Sequence, residues 1–493
     1  MDILLRFIKH IPRIWKNKII SRKVMKNLPK FRRSLKVPNS DEIFAWIEGI
    51  CETEHRRPGT PEGHMAEEWV FNKFKENGLE NVTMEPVPIT VWDAENWALI
   101  VNGKEIPSFF VVNTGFTDSE GIKAPLIYVG DGTPNDFRNI DVSGKIVVAD
   151  VKFPYIPTGL LFKVLKILGA SYYISDPDGQ INLNTGQYLN FVRQNFIGGC
   201  TVENAPAKDV YWNAYKKGAK AICLILKDQP SNSSSHFGPY DGIMKPMPGL
   251  WIGKYDGMNL REMAIEGAKA NLILEGNKKP GKMNNIWGVL PGRTDEYIMI
   301  TSHHDAPFQG AVEDGAGVAQ VLAQLKTWSG VPKEYRKRGI IFVIDSGHFY
   351  GSLGAHTFAR EHKDLMKKVK ILITLEHLGG KEVIEKNQKY LPIDRPALTV
   401  MFTTNKALPL ATVTNALKNK PAKMTVPIPS TLLAPAPTSD AAGYVIESDV
   451  PVISWIGCPY YLLDKFDTLD KILKKELRPI CKTVAEMVKP YMC

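Results

Sequence analysis

From about residue 284 the chain alternates short apolar runs with helical segments of ten to twenty residues. EYIMITS, GIIFVID, VKILITLE and VPVISWIG read as strands. Between the first two, GAGVAQVLAQLKTW places Val318, Val321, Leu322 and Leu325 at the i, i+3, i+4, i+7 spacing of one helix face. Such alternation predicts a layered α/β sheet, in which polar residues just past the strand C-termini sit where sites usually form. Residues 118–276 have another texture: APLIYVGDG, SGKIVVADV, AKAICLILK and MPGLWIGKY are short apolar runs between turns, which predicts a mostly β module with DVYWNAYKKGA as a helix inside it. Ser40 to Leu79 reads as helices around the loop HRRPGTPEGH, where Pro58, Gly59, Pro61 and Gly63 interrupt the periodicity. Residues 1–40 mix Leu4, Leu5, Phe7, Ile8, Ile11, Ile14 and Trp15 with cations in a roughly helical rhythm.

Length and charge sharpen this division. The chain has 493 residues, 44% of them hydrophobic, enough for two or three domains with substantial cores. Its net charge of +10 belongs to the tail, because residues 1–40 hold twelve Lys/Arg and one Asp and the remainder sums to −1. A nucleic-acid-binding body is therefore not expected. The tail is expected to be a helical arm docked by its apolar face on the body, with an anionic membrane surface or a partner subunit as the alternative contacts. It lacks the apolar core and cleavage site of a secretory signal, and no window has the length of a spanning helix. The six cysteines form no C-x-x-C pair, and free thiols in a cytoplasmic setting are the simplest expectation, with a membrane-peripheral setting as the alternative.

The candidate chemistry lies at strand ends. TSHHDAPFQGAVEDGAGVA (301–319) puts His303, His304 and Asp305 at the end of one strand, with Glu313 and Asp314 before a glycine-rich helix start. His303 and Asp305 alternate across an extended segment, so that the carboxylate is placed to orient the imidazole. His348 follows the next strand, Glu376 and His377 the one after, and six of the ten histidines fall between 303 and 377. One such histidine is more often structural than functional; three loops converging with His, Glu and Asp point to a site.

In order, HHD (303–305), GAVEDGAG (310–317), SGHFYGSLG (346–354), LEHLG (375–379) and FDTLDKI (466–472) resemble the motifs of the M28 family of metallopeptidases. The resemblance implies a three-layer α/β/α sandwich with a mixed sheet, formed by 41–117 and 277–493. It also makes 118–276 similar to an inserted protease-associated β domain. It places His303, Glu313 and Glu376 on the ligands of one metal, Asp305 behind His303, and His348 at the general-base position. A one-residue shift would put Asp314 in place of Glu313, and His304 and His377 are further candidates. The positions of the second metal's own ligands hold Phe349 and Leu463. The implied cofactor is thus one divalent ion, zinc first, with iron or manganese as alternatives. The implied function is hydrolysis of an amide-type bond in a peptide or small molecule. A catalytically inactive binding protein and a non-hydrolytic metal enzyme are the alternatives, and a homo-oligomer is left open. Two long loops in 118–276, around YISDPDGQINLNTGQYLNF and SSSHFGPYDG, read either as a cover over the site or as a buttress. DTLDKILKKEL reads as an N-capped closing helix.

Overall fold

The computed structural model describes residues 2–152, 155–156, 158–167, 173–182, 187–188, 210–229, 231–239, 241–420, 422–432, 435–457 and 459–493. Cys200, Tyr240, Cys458 and most of the loop after Ile181 lie outside them. Helices α1 (Asp2–Lys26), α2 (Ser40–Ile50) and α3 (Pro61–Glu76) lead into strands β1 (Val82–Val101), β2 (Lys104–Ile106) and β3 (Ser108–Phe110). There follow β4 (Ile122–Tyr128), β5 (Ile146–Val151), α4 (Thr158–Ile167), α5 (Val210–Lys216), β6 (Ala221–Leu226), β7 (Gly249–Ile252), α6 (Lys254–Ile265) and β8 (Lys269–Leu290). The rest of the chain supplies β9 (Tyr297–His303), α7 (Gly317–Ser329), β10 (Gly339–Asp345), α8 (Leu353–Glu361), β11 (Val369–Glu376) and β12 (Thr399–Thr403). It ends with α9 (Ala407–Asn419), β13 (Thr425–Pro429), α10 (Ala441–Ser448), β14 (Val452–Gly457) and α11 (Lys474–Val488).

One mixed sheet runs β13-β12-β14-β11-β9-β10-β8-β4-β5-β6-β7-β3, with β1 paired to β8 and β2 to β1. At its centre β10, β9, β11 and β14 are parallel, so their C-terminal ends share one edge. Strand alternation sorts their side chains between two layers. Ile298, Ile300, Ile340, Phe342, Ile371 and Ile373 join the core shared with Val318, Val321 and Leu322 of α7, while Met299, Ile341, Val343 and Leu372 pack with Phe358 of α8 and Tyr444 of α10. The three-layer α/β/α architecture follows from that division.

Region 118–276 is more mixed than its apolar runs predict. Strands β4, β5, β6 and β7 are mutually parallel, and a parallel pair cannot be joined by a hairpin. Helices α4, α5 and α6 occur among them, so the region is α/β in character rather than mostly β. It joins the rest through a ribbon that the apolar pattern does not reveal: β1 and β8 pair antiparallel from Val82↔Gly288 to Val101↔Ala270. Pro86, Pro88 and Pro280 disguise it. Proline is tolerated where a strand has a neighbour on one side only, which is the situation along most of this ribbon.

The basic arm docks as an amphipathic helix. Ile14 is 1% exposed and packs with Phe402, Val426 and Ile456, and Asn17 Nδ2 donates to Asn405 O at 2.7 Å. No described helix is long and apolar enough to cross a membrane.

The loop between α2 and α3 holds the strand-end loop after β9. Arg56, fully buried, forms a backbone bridge with Ala306 and donates from Nε to His304 O (2.8 Å), from Nη2 to Gly310 O (3.0 Å) and from Nη1 to Gln309 O. Hydrogen bonds from a charged donor stabilise more than neutral ones, and three carbonyls lose their partner together when it is removed. Arg56→Met is therefore expected to lower unfolding free energy by at least about 2 kcal/mol in urea titration, with the denaturant slope unchanged.

Candidate metal centre

Three parallel strands deliver the site. His303 is the last residue of β9, Asp345 the last of β10 and Glu376 the last of β11, with His348 and His377 just beyond. Each imidazole of the cluster is held through Nδ1. His303 Nδ1 donates to Asp305 O (3.0 Å), His377 Nδ1 donates to Gly457 O (2.9 Å), and His348 Nδ1 lies 2.6 Å from Asp440 Oδ1. A carbonyl can only accept, so in His303 and His377 the proton sits on Nδ1 and Nε2 turns inward as a lone-pair donor. Glu313 stands among them: its carboxylate lies 3.7 Å from His303 Nε2, 3.6 Å from His348 Nε2 and 2.9 Å from His377 Nε2. The His303 and His348 rings stack at 4.3 Å with 8° between planes.

The remaining predicted residues fall into place around this core, not all within it. Asp305 orients His303 chiefly with its backbone carbonyl, its carboxylate lying 3.4 Å from Nδ1. Asp314 accepts from Gly317 N (3.1 Å), His377 N (2.7 Å) and Ser302 Oγ, which makes it an organiser of the loops rather than a substitute for Glu313. Glu376 accepts from Asp440 N at 3.3 Å and keeps Oε1 without a hydrogen-bond partner. His304 is not part of the cluster: following His303 along an extended strand, it points to the other face, where Nε2 meets Asn284 O at 3.1 Å.

Two functional neighbours were not foreseen. Asp440 approaches His303 Nε2 to 3.9 Å and receives Ser352 Oγ at 2.6 Å as well as His348. In sequence it stands just before a helix, where Ser-Asp reads as an N-cap, and nothing marks it as a partner of residues far upstream. Asp467 corrects the reading of DTLDKILKKEL as a capped closing helix. Its carboxylate accepts from Val312 N (2.9 Å) and Glu313 N (2.8 Å), while α11 starts only at Lys474. The signal available was the first Asp of FDTLD, but a local cap accounts for it equally well.

Electrostatics follow from burial. Asp305, Glu313, Asp314, Asp345, Glu376, Asp440 and Asp467 are each at most 1% exposed, and among the described residues His303, His348 and His377 are the only ion-pair partners of any of them. Burial and the neighbouring Asp440 push the Glu376 carboxyl up to about 8, and burial pushes Asp467 to about 7. Burial opposes ionisation of Glu313 too, but His377, His348 and His303 pull it down to about 2. His377, desolvated yet beside Glu313, rises to about 10, and His303 and His348 rise against their burial through Asp440.

A cation fits this set. His303 Nε2, Glu313 Oε1, Glu376 Oε1 and Asp440 Oδ2 are buried polar atoms without hydrogen-bond partners, costly to leave so unless something positive is shared among them. His303, Glu313 and His377 bring three ligand atoms within 4.8 Å of one another, as do His303, His348 and Asp440. Both groups contain His303, whose Nδ1 is already engaged. The two positions expected to complete a second metal are apolar walls: Phe349, 1% exposed, packs edge-on to His348 at 5.0 Å, and Leu463 is 2% exposed.

Comparison with known proteins bears on this geometry. Residues 285–488 match the family model described as "Peptidase family M28". Over those residues the chain is similar to that family. A peptidase M28 precursor from Shewanella amazonensis shares the fold with a TM-score of 0.67 at 19% identity, over 97% of this chain and 96% of that one. The zinc aminopeptidase of Bacillus subtilis does so with a TM-score of 0.66 at 16% identity, over 92% and 95%. In sequence, carboxypeptidase Q of Xenopus laevis is 22% identical over 335 residues, which are 65% of this chain and 61% of that protein. Human transferrin receptor protein 2 is 30% identical over 93 residues, 18% of this chain and 12% of that protein. The chain thus spans less than two thirds of either curated relative.

Outer-shell groups commonly carry ten- to hundredfold in metal affinity. Asp314→Ala is expected to weaken zinc binding by about that factor in a competitive chelator titration, since it frees Ser302, the start of α7 and the His377 backbone at once.

Proposed function

We propose that the chain is a metal-dependent hydrolase of an amide or peptide bond, working with one divalent ion, zinc first. The observation that carries the reading is the set of three imidazoles tied back through Nδ1, with one buried oxygen each of Glu313, Glu376 and Asp440 beside them without a hydrogen-bond partner. His303, Glu313 and His377 are the ligands we assign, with Glu376 and Asp440 adjacent. Two features favour a single ion: both triads of possible ligands require His303, and Phe349 and Leu463 offer no donor for a second.

A bound divalent ion supplies Lewis acidity toward an amide carbonyl or a water. His348 takes the proton from the attacking water and returns it to the departing amine. Asp440, 2.6 Å from Nδ1, steadies the imidazolium formed in between, and Ser352 holds Asp440 in turn. A cavity of about 230 Å³ opens beside Glu313 and His348 and is lined by Pro437, Ala442, Ile456, Leu462 and Leu463, a wall suited to an apolar group next to the scissile bond. Phe237, from the SSSHFGPYDG loop, packs on Phe349 at 5.2 Å and donates from its backbone N to Leu463 O (2.9 Å), so this loop borders the cavity.

The test is metal content by mass spectrometry, combined with a screen of amide substrates. About one tightly held ion per chain is expected, lost in His303→Ala and retained in His348→Ala, the latter with hydrolysis reduced by roughly 10²- to 10⁴-fold. The specific observation behind a second reading is Phe349, 1% exposed, at a position where the resemblance implies a ligand of the second metal. Stoichiometric metal with no turnover of any amide would favour that reading, a binding protein on a peptidase scaffold, and absence of metal after reconstitution would defeat the hydrolase.

A further inference from the structure

Helix α1 has two faces with different surroundings. Ile14 and Ser21 are buried against the body, and Ile11 is half-buried there. The outward face carries Ile19, 60% exposed, Ile20, 38% exposed, and Trp15 with half of its surface in solvent. Among these apolar groups stand Lys16, Arg22, Lys23 and Lys26, all exposed, and the helix from residue 3 to 26 contains no acid. A solvated helix gains nothing from exposed isoleucines. A helix lying in a lipid interface does, since its apolar side chains enter the acyl boundary while its cations meet anionic headgroups.

A recess beside this face adds a place for one headgroup. Between α1 and α9, Lys18, Arg22 and Lys418 line a cavity of about 190 Å³ together with Ser21, Thr414 and Tyr173, so three cations and three hydroxyl-bearing side chains border a space of phosphate-bearing size. Lys418 Nζ stands 5.6 Å from the Tyr173 ring centroid, which fixes one cation at its rim. The recess opens next to the exposed face because Arg22 belongs to both.

We infer that α1 docks the protein on an anionic phospholipid surface, with Ile19 and Ile20 entering the bilayer boundary and the Lys18, Arg22 and Lys418 recess taking a lipid phosphate. The docking is peripheral, and it holds whether or not the metal centre hydrolyses anything. Charge selects the occupant: a uniformly basic helix face studded with isoleucines complements an acidic lipid surface and repels a second copy of itself.

The experiment is co-sedimentation of the full chain with phosphatidylcholine vesicles, with and without phosphatidylglycerol, at low and high salt. Binding is expected only to the phosphatidylglycerol vesicles and is expected to weaken with salt. Ile19→Ser with Ile20→Ser is expected to reduce partitioning about tenfold, and Lys16→Gln or Lys23→Gln about fivefold each. All four positions are exposed, so circular dichroism of the variants should match the parent. Arg22→Gln with Lys418→Gln tests the recess separately and should lower binding to anionic vesicles without creating binding to neutral ones. Equal binding to both vesicle types, no binding to either, or wild-type binding by the isoleucine and lysine variants would overturn the inference. A dimer in sedimentation velocity that forms without vesicles and vanishes in Ile19→Ser would overturn it in favour of a second copy as the occupant.

Discussion

Everything at the centre hangs on where one buried carboxylate, Asp314, places its two oxygens. Oδ1 receives the backbone N–H of Gly317 at the start of α7 and that of His377 just after β11, and Oδ2 receives the hydroxyl of Ser302 near the end of β9. Two strand ends and a helix start are tied by a single side chain in a region from which water is excluded. Because a charged acceptor strengthens each of these bonds, the geometry is hard to exchange for another. Glu313 is carried by the same turn, and its own backbone N–H is fixed from the opposite side by Asp467. The position of the residue that touches all three imidazoles is therefore set by two acids that do not need to touch an ion.

That arrangement makes sense of the charge balance. Seven acids buried around three histidines leave the site short of positive charge: burial and Asp440 raise the Glu376 carboxyl, and Glu313 raises His377 against its burial. Both adjustments are what a desolvated cluster does when its permanent cations are few. Apolar Phe349 and Leu463 bound the same cluster, and the two groups of possible ligand atoms, His303 with Glu313 and His377 and His303 with His348 and Asp440, share His303. A single cation is consistent with the number of donors, and the polarity of the walls limits where it can lie.

The region between 118 and 276 reaches this centre through backbone rather than through catalytic groups. The β1/β8 ribbon makes its sheet continuous with the central one, and the segment around His236 and Phe237 bridges to Asp464 and packs on Phe349. Phe237 of that loop packs on Phe349 and donates its backbone N–H to Leu463 O, so the loop buttresses residues beside the cavity. Trp251, fully buried, sits edge-on to His236 at 4.9 Å and anchors the loop in the far half of the sheet.

By itself the sequence determined the strand alternation of the second half, the helical face of α7, the concentration of charge in the tail, and the presence of His303, Glu313, His348, Glu376 and His377 at strand ends. These are local properties: a period of two or 3.6, and the rule that a parallel strand ends where its loop begins. Tertiary structure alone decided which of those residues meet. His303 and His304 are neighbours in the chain yet face opposite layers, because a strand turns each successive side chain over. Asp440 and Asp467 belong to the site although each looks like an ordinary helix cap, since their partners lie 92 and 154 residues away. The β1/β8 ribbon was hidden for a related reason: its prolines forbid a central strand but not a strand with one free edge, and only pairing across the molecule shows which of the two it is.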